Sequence, residues 1–150
     1  MADKTPQTVT VEAWVYPTNL NGWRNVVIKE APNYMVYSLY ANQSAPKPGA
    51  TASISSVEYS VTASGQLPLN TWSHLAITID GTALRLFVNG TQVKSTAASG
   101  TLTPSANPLR IGGNTVWGEY FSGKIDEVRI YNRALSAAEI KADMNTAVVP

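Results

Sequence analysis

Cysteine is absent from these 150 residues, and histidine occurs once. The lack of cysteine excludes disulfides, thiolate metal sites and cysteine nucleophiles. Charged residues are also scarce, at 14% against roughly 25% in an average globular protein. A net charge of +1 provides no basic surface for nucleic acid and no polybasic patch for a membrane. No apolar run approaches the roughly 20 residues that span a bilayer, and the first residues lack the apolar core of a signal peptide.

Alternating apolar and polar residues dominate the rest of the chain. In the stretch TVTVEAWVY, one predicted strand face carries Val9, Val11, Ala13 and Val15. The pair Asn89-Gly90 predicts a type I′ hairpin turn, and Ser136 with Glu139 forms a capping-box pattern that predicts one short helix. We predict a single all-β domain over residues 1–150, a jelly roll or β-sandwich with a short C-terminal helix. Residues 1–7 are expected to be a start or linker, and 145–150 a tail.

Four stretches of the chain resemble a known family. They are VTVEAWVYP, NTWSHLAITIDGTALRLFVNG, PLRIGGN and FSGKIDEVRIYNRALSAAEI. Their order and spacing resemble the laminin-G-like domains of the concanavalin A-like lectin/glucanase superfamily, bacterial branch. The resemblance implies a jelly roll of two antiparallel sheets. It also implies a non-catalytic module of a secreted or cell-surface protein that binds a glycan or a protein, in many members with a calcium ion.

One departure from the family concerns the N-terminal side. Members of the bacterial branch usually carry an additional strand before the VEAW strand, whereas about eight residues precede it here. The resemblance then implies that the vacant edge is open, filled by the tail NTAVVP, or filled by another chain. An open edge presents unpaired backbone groups and invites strand addition. The alternative function is therefore a structural or adhesive module that binds protein or associates with itself through this edge.

Catalytic patterns are weak in this sequence. Paired carboxylates for glycoside hydrolysis must project from one face, at positions i and i+2 or i and i+4 of a strand, and no predicted strand carries them. Asp126 and Glu127 are adjacent, so strand alternation predicts that they point to opposite faces. His74, the only histidine, is interpreted as structural, because it lies in the middle of a strand. We therefore expect no enzymatic activity.

Asp126 has two interpretations. Its carboxylate could accept backbone N–H groups of a nearby loop, with Glu127 paired to Arg129 or Arg133. It could instead be a calcium ligand, although Ca²⁺ needs six to eight oxygens and one carboxylate cannot hold it alone. The structural interpretation is favoured, and calcium stays an alternative.

Aromatic residues give the stronger indication of a binding site. Four Trp and seven Tyr stand against two Phe, and such rings stack on sugar faces while polar neighbours bind the hydroxyls. Trp14 and Trp72 are expected in the core, whereas Trp23 and Trp117 lie in Gly- and Asn-containing loops and are predicted to be sugar platforms or, alternatively, plugs of the sandwich ends. Tyr37 is expected on a concave sheet, and the Pro-containing segment 41–50 is expected to be a loop. The candidate polar partners are Arg24, Asn25, Asn114 and Glu119.

Overall fold

A computed structural model describes residues 6–149; residues 1–5 and 150, within the predicted leading segment and tail, lie outside the described residues. The described chain forms ten strands followed by one helix. The strands are β1 (Val9–Pro17), β2 (Arg24–Ala31), β3 (Tyr34–Ser44), β4 (Lys47–Ile54), β5 (Val57–Thr62), β6 (Ser73–Ile79), β7 (Ala83–Val88), β8 (Thr91–Ala97), β9 (Leu109–Ile111) and β10 (Gly123–Tyr131). The helix is α1 (Ala137–Met144).

The strands form two five-stranded antiparallel sheets. Sheet A has the order β10-β1-β6-β7-β8, and sheet B has the order β5-β4-β3-β2-β9. Non-consecutive strands are neighbours in both sheets, as in a jelly roll. The prediction of an all-β sandwich with one short helix is confirmed.

The core lies between the sheets and follows the alternation of the sequence. The four predicted inward residues of β1 are all fully buried, so this prediction is confirmed. Cross-strand partners point to the same face of a sheet, and their rows mark the inner faces. In sheet A such a row is Val11, Ile77 and Leu86. In sheet B it is Val27, Leu39, Ala50 and Val61.

The predicted turn and helix start are both confirmed. Asn89 and Gly90 have φ of 49° and 78°, the left-handed conformation that a type I′ turn requires at both central positions. At the helix, the Ser136 hydroxyl accepts a hydrogen bond from the Glu139 N–H, and the Glu139 carboxylate accepts one from the Ser136 N–H. Ile140 then packs α1 onto the outer face of sheet A, against Phe87 and two smaller apolar side chains.

The segment 41–50 differs from its predicted loop. Strand β3 continues to Ser44 and β4 begins at Lys47, so only a tight turn at Ala45 and Pro46 separates them. Pro48 is tolerated because proline removes only one backbone donor and the neighbouring residues still pair. This extension brings Asn42 and Gln43 onto sheet B instead of a surface loop.

Strand β10 also differs from prediction at its acidic pair. Glu12 pairs with Arg129 while Trp14 pairs with Asp126, so a β-bulge lies between these positions. Glu127 is in the bulge with φ of 52°. The bulge turns its carboxylate toward Arg129, 3.6 Å away, on the outer face of sheet A. The expectation that Asp126 and Glu127 point to opposite faces fails because the alternation is broken there.

The two framework tryptophans lie outside the core between the sheets. Trp14 is half-buried on the outer face of sheet A, with its ring centroid 5.4 Å from that of His74. Trp72 is 41% exposed and contacts Tyr16 edge to face at 5.5 Å. The expectation of a core position is therefore wrong for both tryptophans. His74 is fully buried, as its structural interpretation required.

One side of the sandwich, between β9 and β10, remains apolar and exposed. Ile111 continues the inner row of sheet B and Ile130 that of sheet A, yet they are 54% and 40% exposed. Within residues 6–149 no further strand pairs with the outer edge of β9 or β10. Residues 145–149 form no strand; they follow α1 over the outer face of sheet A, where Arg129 donates hydrogen bonds to the carbonyls of Asp143 and Thr146.

Candidate functional site

A cleft lies on the outer face of sheet B, opposite to the face that packs in the core. Its volume is about 340 Å³, within the range of small-ligand sites. Strands β3, β4 and β5 supply the floor, and two loops supply the walls. The lining residues are Trp23, Tyr34, Met35, Tyr40, Gln43, Thr51, Glu58, Trp117 and Glu119.

Two tryptophans line the cleft, each from a different loop. Trp23 is 48% exposed and Trp117 is 44% exposed, so each presents about half of its surface to solvent. The Trp23 ring contacts Tyr40 edge to face at 5.5 Å, and the Trp117 ring contacts Tyr34 in the same manner at 6.1 Å. The tyrosines restrict the tryptophans, and neither tryptophan is a plug between the sheets.

Asn42 fixes the turn that carries Trp23. Its side-chain amide donates hydrogen bonds to the carbonyls of Leu20 and Gly22, at 2.5 and 2.6 Å. Gly22 has φ of 70°, a conformation that glycine adopts without strain. The turn immediately before β2 is therefore tied to β3, and Trp23 is held above the sheet.

Glu30 fixes the loop that carries Trp117. This carboxylate is 3% exposed and accepts hydrogen bonds from the Thr115 N–H at 2.8 Å and hydroxyl at 3.0 Å, and from Arg110 Nε at 3.0 Å. Burial alone would raise the pKa of Glu30, but the hydrogen bonds from Thr115 and Arg110 outweigh it and lower that pKa. Asn114 adds a second restraint, because its Oδ1 accepts from the Trp117 N–H at 2.8 Å.

Two carboxylates enter the cleft, each hydrogen-bonded to a tyrosine. Glu119 Oε2 accepts from the Tyr40 hydroxyl at 2.6 Å and from Asn114 Nδ2 at 2.9 Å. Glu58 Oε2 accepts from the Tyr34 hydroxyl. Burial, together with the adjacent Glu119 carboxylate, raises the pKa of Tyr40. Tyr40 therefore stays protonated and donates, and each carboxylate accepts a tyrosine hydroxyl through Oε2.

A second cavity of about 380 Å³ adjoins the first. Trp23 and Gln43 line both cavities, so Trp23 stands at the boundary between them. The remaining lining of the second cavity comes from the β1–β2 connection and the tight turn between β3 and β4. It is uncharged and consists of Leu20, Asn21, Gly22, Asn42, Ala45 and Pro46.

The structure brings some of the predicted site residues together and separates others. Trp23, Trp117 and Glu119 line the cleft, and Asn114 supports it from a buried position. Arg24 instead donates to the Tyr120 carbonyl at 3.1 Å, and Asn25 is fully buried, so neither lines the cleft.

Tyr37 requires a correction. It is 3% exposed and belongs to the core between the sheets, where burial raises its pKa to about 12. Tyr34 and Tyr40 occupy the cleft in its place. Alternation along β3 puts Tyr37 on the face opposite to Tyr40, and Tyr37 shares the inner face with Leu39. Sequence periodicity separates the two faces but does not say which of them packs in the core. Glu58, Gln43 and Thr51 were missed as well, because only the sheet brings them near Trp23.

The surroundings of Asp126 bear on the predicted calcium site. It is exposed on the outer face of sheet A, and its Oδ1 accepts a hydrogen bond from the Glu127 N–H at 2.8 Å. Across residues 6–149, no three His, Cys, Asp or Glu residues are grouped so that they could hold a metal ion. The residues around Asp126 therefore do not fit a calcium site built from carboxylates.

Comparison with known proteins identifies the family. A laminin-G-like family model described as the concanavalin A-like lectin/glucanases superfamily matches residues 2–141, and the chain belongs to this superfamily. Mouse pappalysin-1 is 34% identical over 80 residues, which is half of this chain but 5% of that protein. The chain thus spans only a small part of this curated relative.

Solved structures with similar folds include carbohydrate-binding domains. A Bacteroides ovatus protein to which carbohydrate binding is ascribed has a TM-score of 0.77 and 20% identity, over 94% of this chain and 42% of that one. Domain 4 of the Geobacillus stearothermophilus extracellular arabinanase AbnA, solved with arabinotriose, has a TM-score of 0.72 and 22% identity, over 92% and 66%. The Ruminococcus gnavus sialidase module CBM40, bound to α2,3-sialyllactose, has a TM-score of 0.74 and 16% identity, over 93% of this chain and 83% of that one. At these identities the likeness establishes the fold.

Membrane-spanning helices are not found among residues 6–149, where the helix α1 has eight residues.

Proposed function

We propose that this chain is a non-catalytic, lectin-like module that binds carbohydrate in the cleft on sheet B. The observation that carries the proposal is the pair of half-exposed tryptophans, Trp23 and Trp117, which line one cleft together with the carboxylates of Glu58 and Glu119. Similarity to the arabinotriose-bound and sialyllactose-bound modules supports it.

The cleft offers the two kinds of contact that a sugar needs. The indole faces can stack on the apolar C–H faces of a sugar ring, and the free carboxylate oxygens of Glu58 and Glu119 can accept hydrogen bonds from its hydroxyls. Both tryptophan loops are tied to sheet B by buried side chains, Asn42 and Glu30. A site held in place before binding loses less conformational entropy when the ligand arrives.

Binding fits the two carboxylates better than hydrolysis does. A glycosidase needs one protonated carboxyl as general acid, usually kept neutral by apolar surroundings. Here Tyr34 and Tyr40 donate hydrogen bonds to Glu58 and Glu119, so both carboxylates are held by polar partners and not by apolar surroundings. We therefore assign no catalytic residue.

Substitution of the two tryptophans tests the proposal. We expect Trp117→Ala and Trp23→Ala each to weaken glycan binding by about fivefold or more, since loss of one stacked ring costs roughly 1–3 kcal/mol. Trp72→Ala is the matched control: Trp72 is equally exposed but lies on sheet A. A glycan array finds the ligand, calorimetry gives the affinity, and circular dichroism checks the fold. Undiminished binding by both cleft variants would contradict the proposed site.

Calcium and location are further parts of this proposal. The family resemblance is the basis for including calcium, so the array is run in parallel with calcium and with a chelator. Binding that disappears only in the chelator lane would assign calcium a role.

We also propose that the module acts outside the cell or at its surface, where glycans are exposed. Secretion of the full-length natural protein, followed by fractionation, tests this.

A second candidate function is self-association through the open side of the sandwich. The exposed Leu109, Ile111 and Ile130 favour it, because residues on inner rows of a sandwich are normally covered. A second copy of the chain could place its own β10 antiparallel to this one in a two-fold arrangement. The bulge at Glu127 and the edge residue Lys124 oppose such pairing, and this candidate therefore ranks second.

Sedimentation velocity over a range of concentrations tests the association. We expect a concentration-dependent dimer for the wild-type chain and a monomer for Ile111→Lys, because a charge cannot be buried unpaired in the contact. Val93→Lys is the control, since Val93 is 39% exposed on β8 at the opposite side of sheet A. A wild-type chain that stays monomeric at high concentration would exclude this function.

A further inference from the structure

The two adjoining cavities carry charge of one sign only. Their lining contains no Lys, Arg or His, and its only ionisable acids are Glu58 and Glu119. Each carboxylate uses Oε2 to accept a tyrosine hydroxyl, while Oε1 makes no hydrogen bond within residues 6–149. Arg24, the cation next to Trp23 in sequence, directs its guanidinium to the Tyr120 carbonyl instead.

We infer that the cleft is specific for a neutral glycan of at least two sugar units and discriminates against acidic sugars. The inference rests on the proposed function and adds the class of ligand. An ionised carboxylate only accepts hydrogen bonds, so it binds the hydroxyl groups of a neutral sugar. The same carboxylate repels the carboxylate of a sialic or uronic acid, and no cation in the lining offsets the repulsion.

The length requirement follows from the position of Trp23. This side chain and Gln43 line both cavities, which measure about 340 and 380 Å³. A single sugar unit bound in the first cavity contacts Trp23 from one side only. A chain of two or more units passes Trp23 and contacts both cavities, of which only the first contains the carboxylates. Affinity is therefore expected to rise when a second unit is added.

The charge inference is tested with a neutral and an acidic probe that share a core, lactose and α2,3-sialyllactose, with arabinotriose as a further neutral probe. We expect any acidic probe to bind at least roughly tenfold more weakly than its neutral counterpart at low salt. Glu58→Gln and Glu119→Gln should each narrow this difference, and higher salt should narrow it too. Asp126→Asn is the matched control, because it removes one carboxylate from the outer face of sheet A.

The length inference is tested with arabinose, arabinobiose and arabinotriose, or with the corresponding series of whichever neutral sugar the array identifies. We expect roughly a tenfold gain between one and two units, and a smaller gain in Trp23→Ala. Equal affinity for one and two units would overturn the length requirement.

The possible failures are distinguishable. If the wild-type chain binds the acidic probe as well as the neutral one, or if the glutamine variants leave the discrimination unchanged, the inference is wrong while the lectin function stands. If no neutral or acidic glycan binds at all, the proposed function fails, and the inference fails with it.

Discussion

Gly49 shows how a single residue shapes the floor of the cleft. A Cβ atom at this position would lie 2.0 Å from Gln43 Oε1 and 2.8 Å from the Val61 carbonyl oxygen. Only glycine lets the Gln43 side chain cross β4 here. Gln43 Nε2 then donates to the hydroxyls of Thr51 and Ser60, at 2.9 and 2.5 Å, and lines both cavities.

We predict that Gly49→Ala destabilises the protein by about 1–3 kcal/mol, because the added methyl group displaces Gln43 and presses on β5. The free energy of unfolding in urea measures the effect, and glycan affinity should fall with it. Gly65→Ala is the control, since a Cβ there meets nothing within 4 Å. Adding Gln43→Ala to Gly49→Ala should restore part of the stability. If Gly49→Ala and Gly65→Ala have the same free energy of unfolding, the proposed packing of the floor is wrong.

Single residues also mark the limit of reading the site from the sequence. The loop tryptophans could be selected because glycine and asparagine surround them and no alternating pattern claims them. The choice of Tyr37 over Tyr34 and Tyr40 was wrong, because alternation puts Tyr37 on the opposite face from Tyr40 but does not identify which face packs in the core. Glu58 carries no local signal at all, since its role arises only from its place across the sheet from Trp23 and Tyr34.

Helix α1 covers a buried polar group on the outer face of sheet A. Burial and, to a lesser extent, the neighbouring Asp143 carboxylate of α1 raise the pKa of Glu12 to about 8, although Arg129, 3.5 Å away, offsets part of their effect. Tyr131 donates a hydrogen bond to Asp143 at 2.7 Å. Burial lowers the pKa of the neighbouring His74 to about 4. Glu12 is therefore largely protonated below pH 8 and His74 largely neutral above pH 4.

These two groups set opposite pH dependences of stability. The pKa of Glu12 is higher in the folded state than the ordinary 4.5. Its contribution to the free energy of unfolding is therefore complete below about pH 4.5 and is lost as the pH rises through about 8. The pKa of His74 in the folded state is lower than the ordinary 6.5. Its contribution to the free energy of unfolding is therefore present above about pH 6.5 and is lost as the pH falls through about 4.

We predict that Glu12→Gln flattens the alkaline side of this profile. Between about pH 5 and pH 9 the free energy of unfolding should fall less in the variant than in the wild type, by on the order of 1–3 kcal/mol. Urea unfolding at several pH values measures the difference. Asp126→Asn, an exposed carboxylate on the same face, should leave the wild-type slope intact. Parallel profiles for Glu12→Gln and the wild type would contradict a raised pKa of Glu12.

For the whole molecule, the sequence predicted the architecture far better than the site. Alternation predicts the strands, the Asn89-Gly90 turn predicts the β7–β8 hairpin, and the capping box predicts the helix. Each of these signals acts over a few residues and is therefore visible in the local sequence. The cleft instead combines residues from 23 to 119, and its geometry depends on bulges and on two buried anchors, Asn42 and Glu30. The extension of β3 and β4 through the Pro-containing segment could not be expected either, because proline and glycine there favour a loop.

Both ends of the described chain lie on the sheet A side of the sandwich. Thr8 Oγ1 donates to the Asn132 carbonyl at 3.1 Å, and the Val148 N–H donates to the Glu127 carboxylate. The cleft faces the other way. A bead or sensor chip coupled to either end would therefore sit behind the sandwich and leave the cleft open to solution. Copies tethered side by side on one support would present an array of outward-facing sites, and weak single contacts with a polymer would add up to firm attachment.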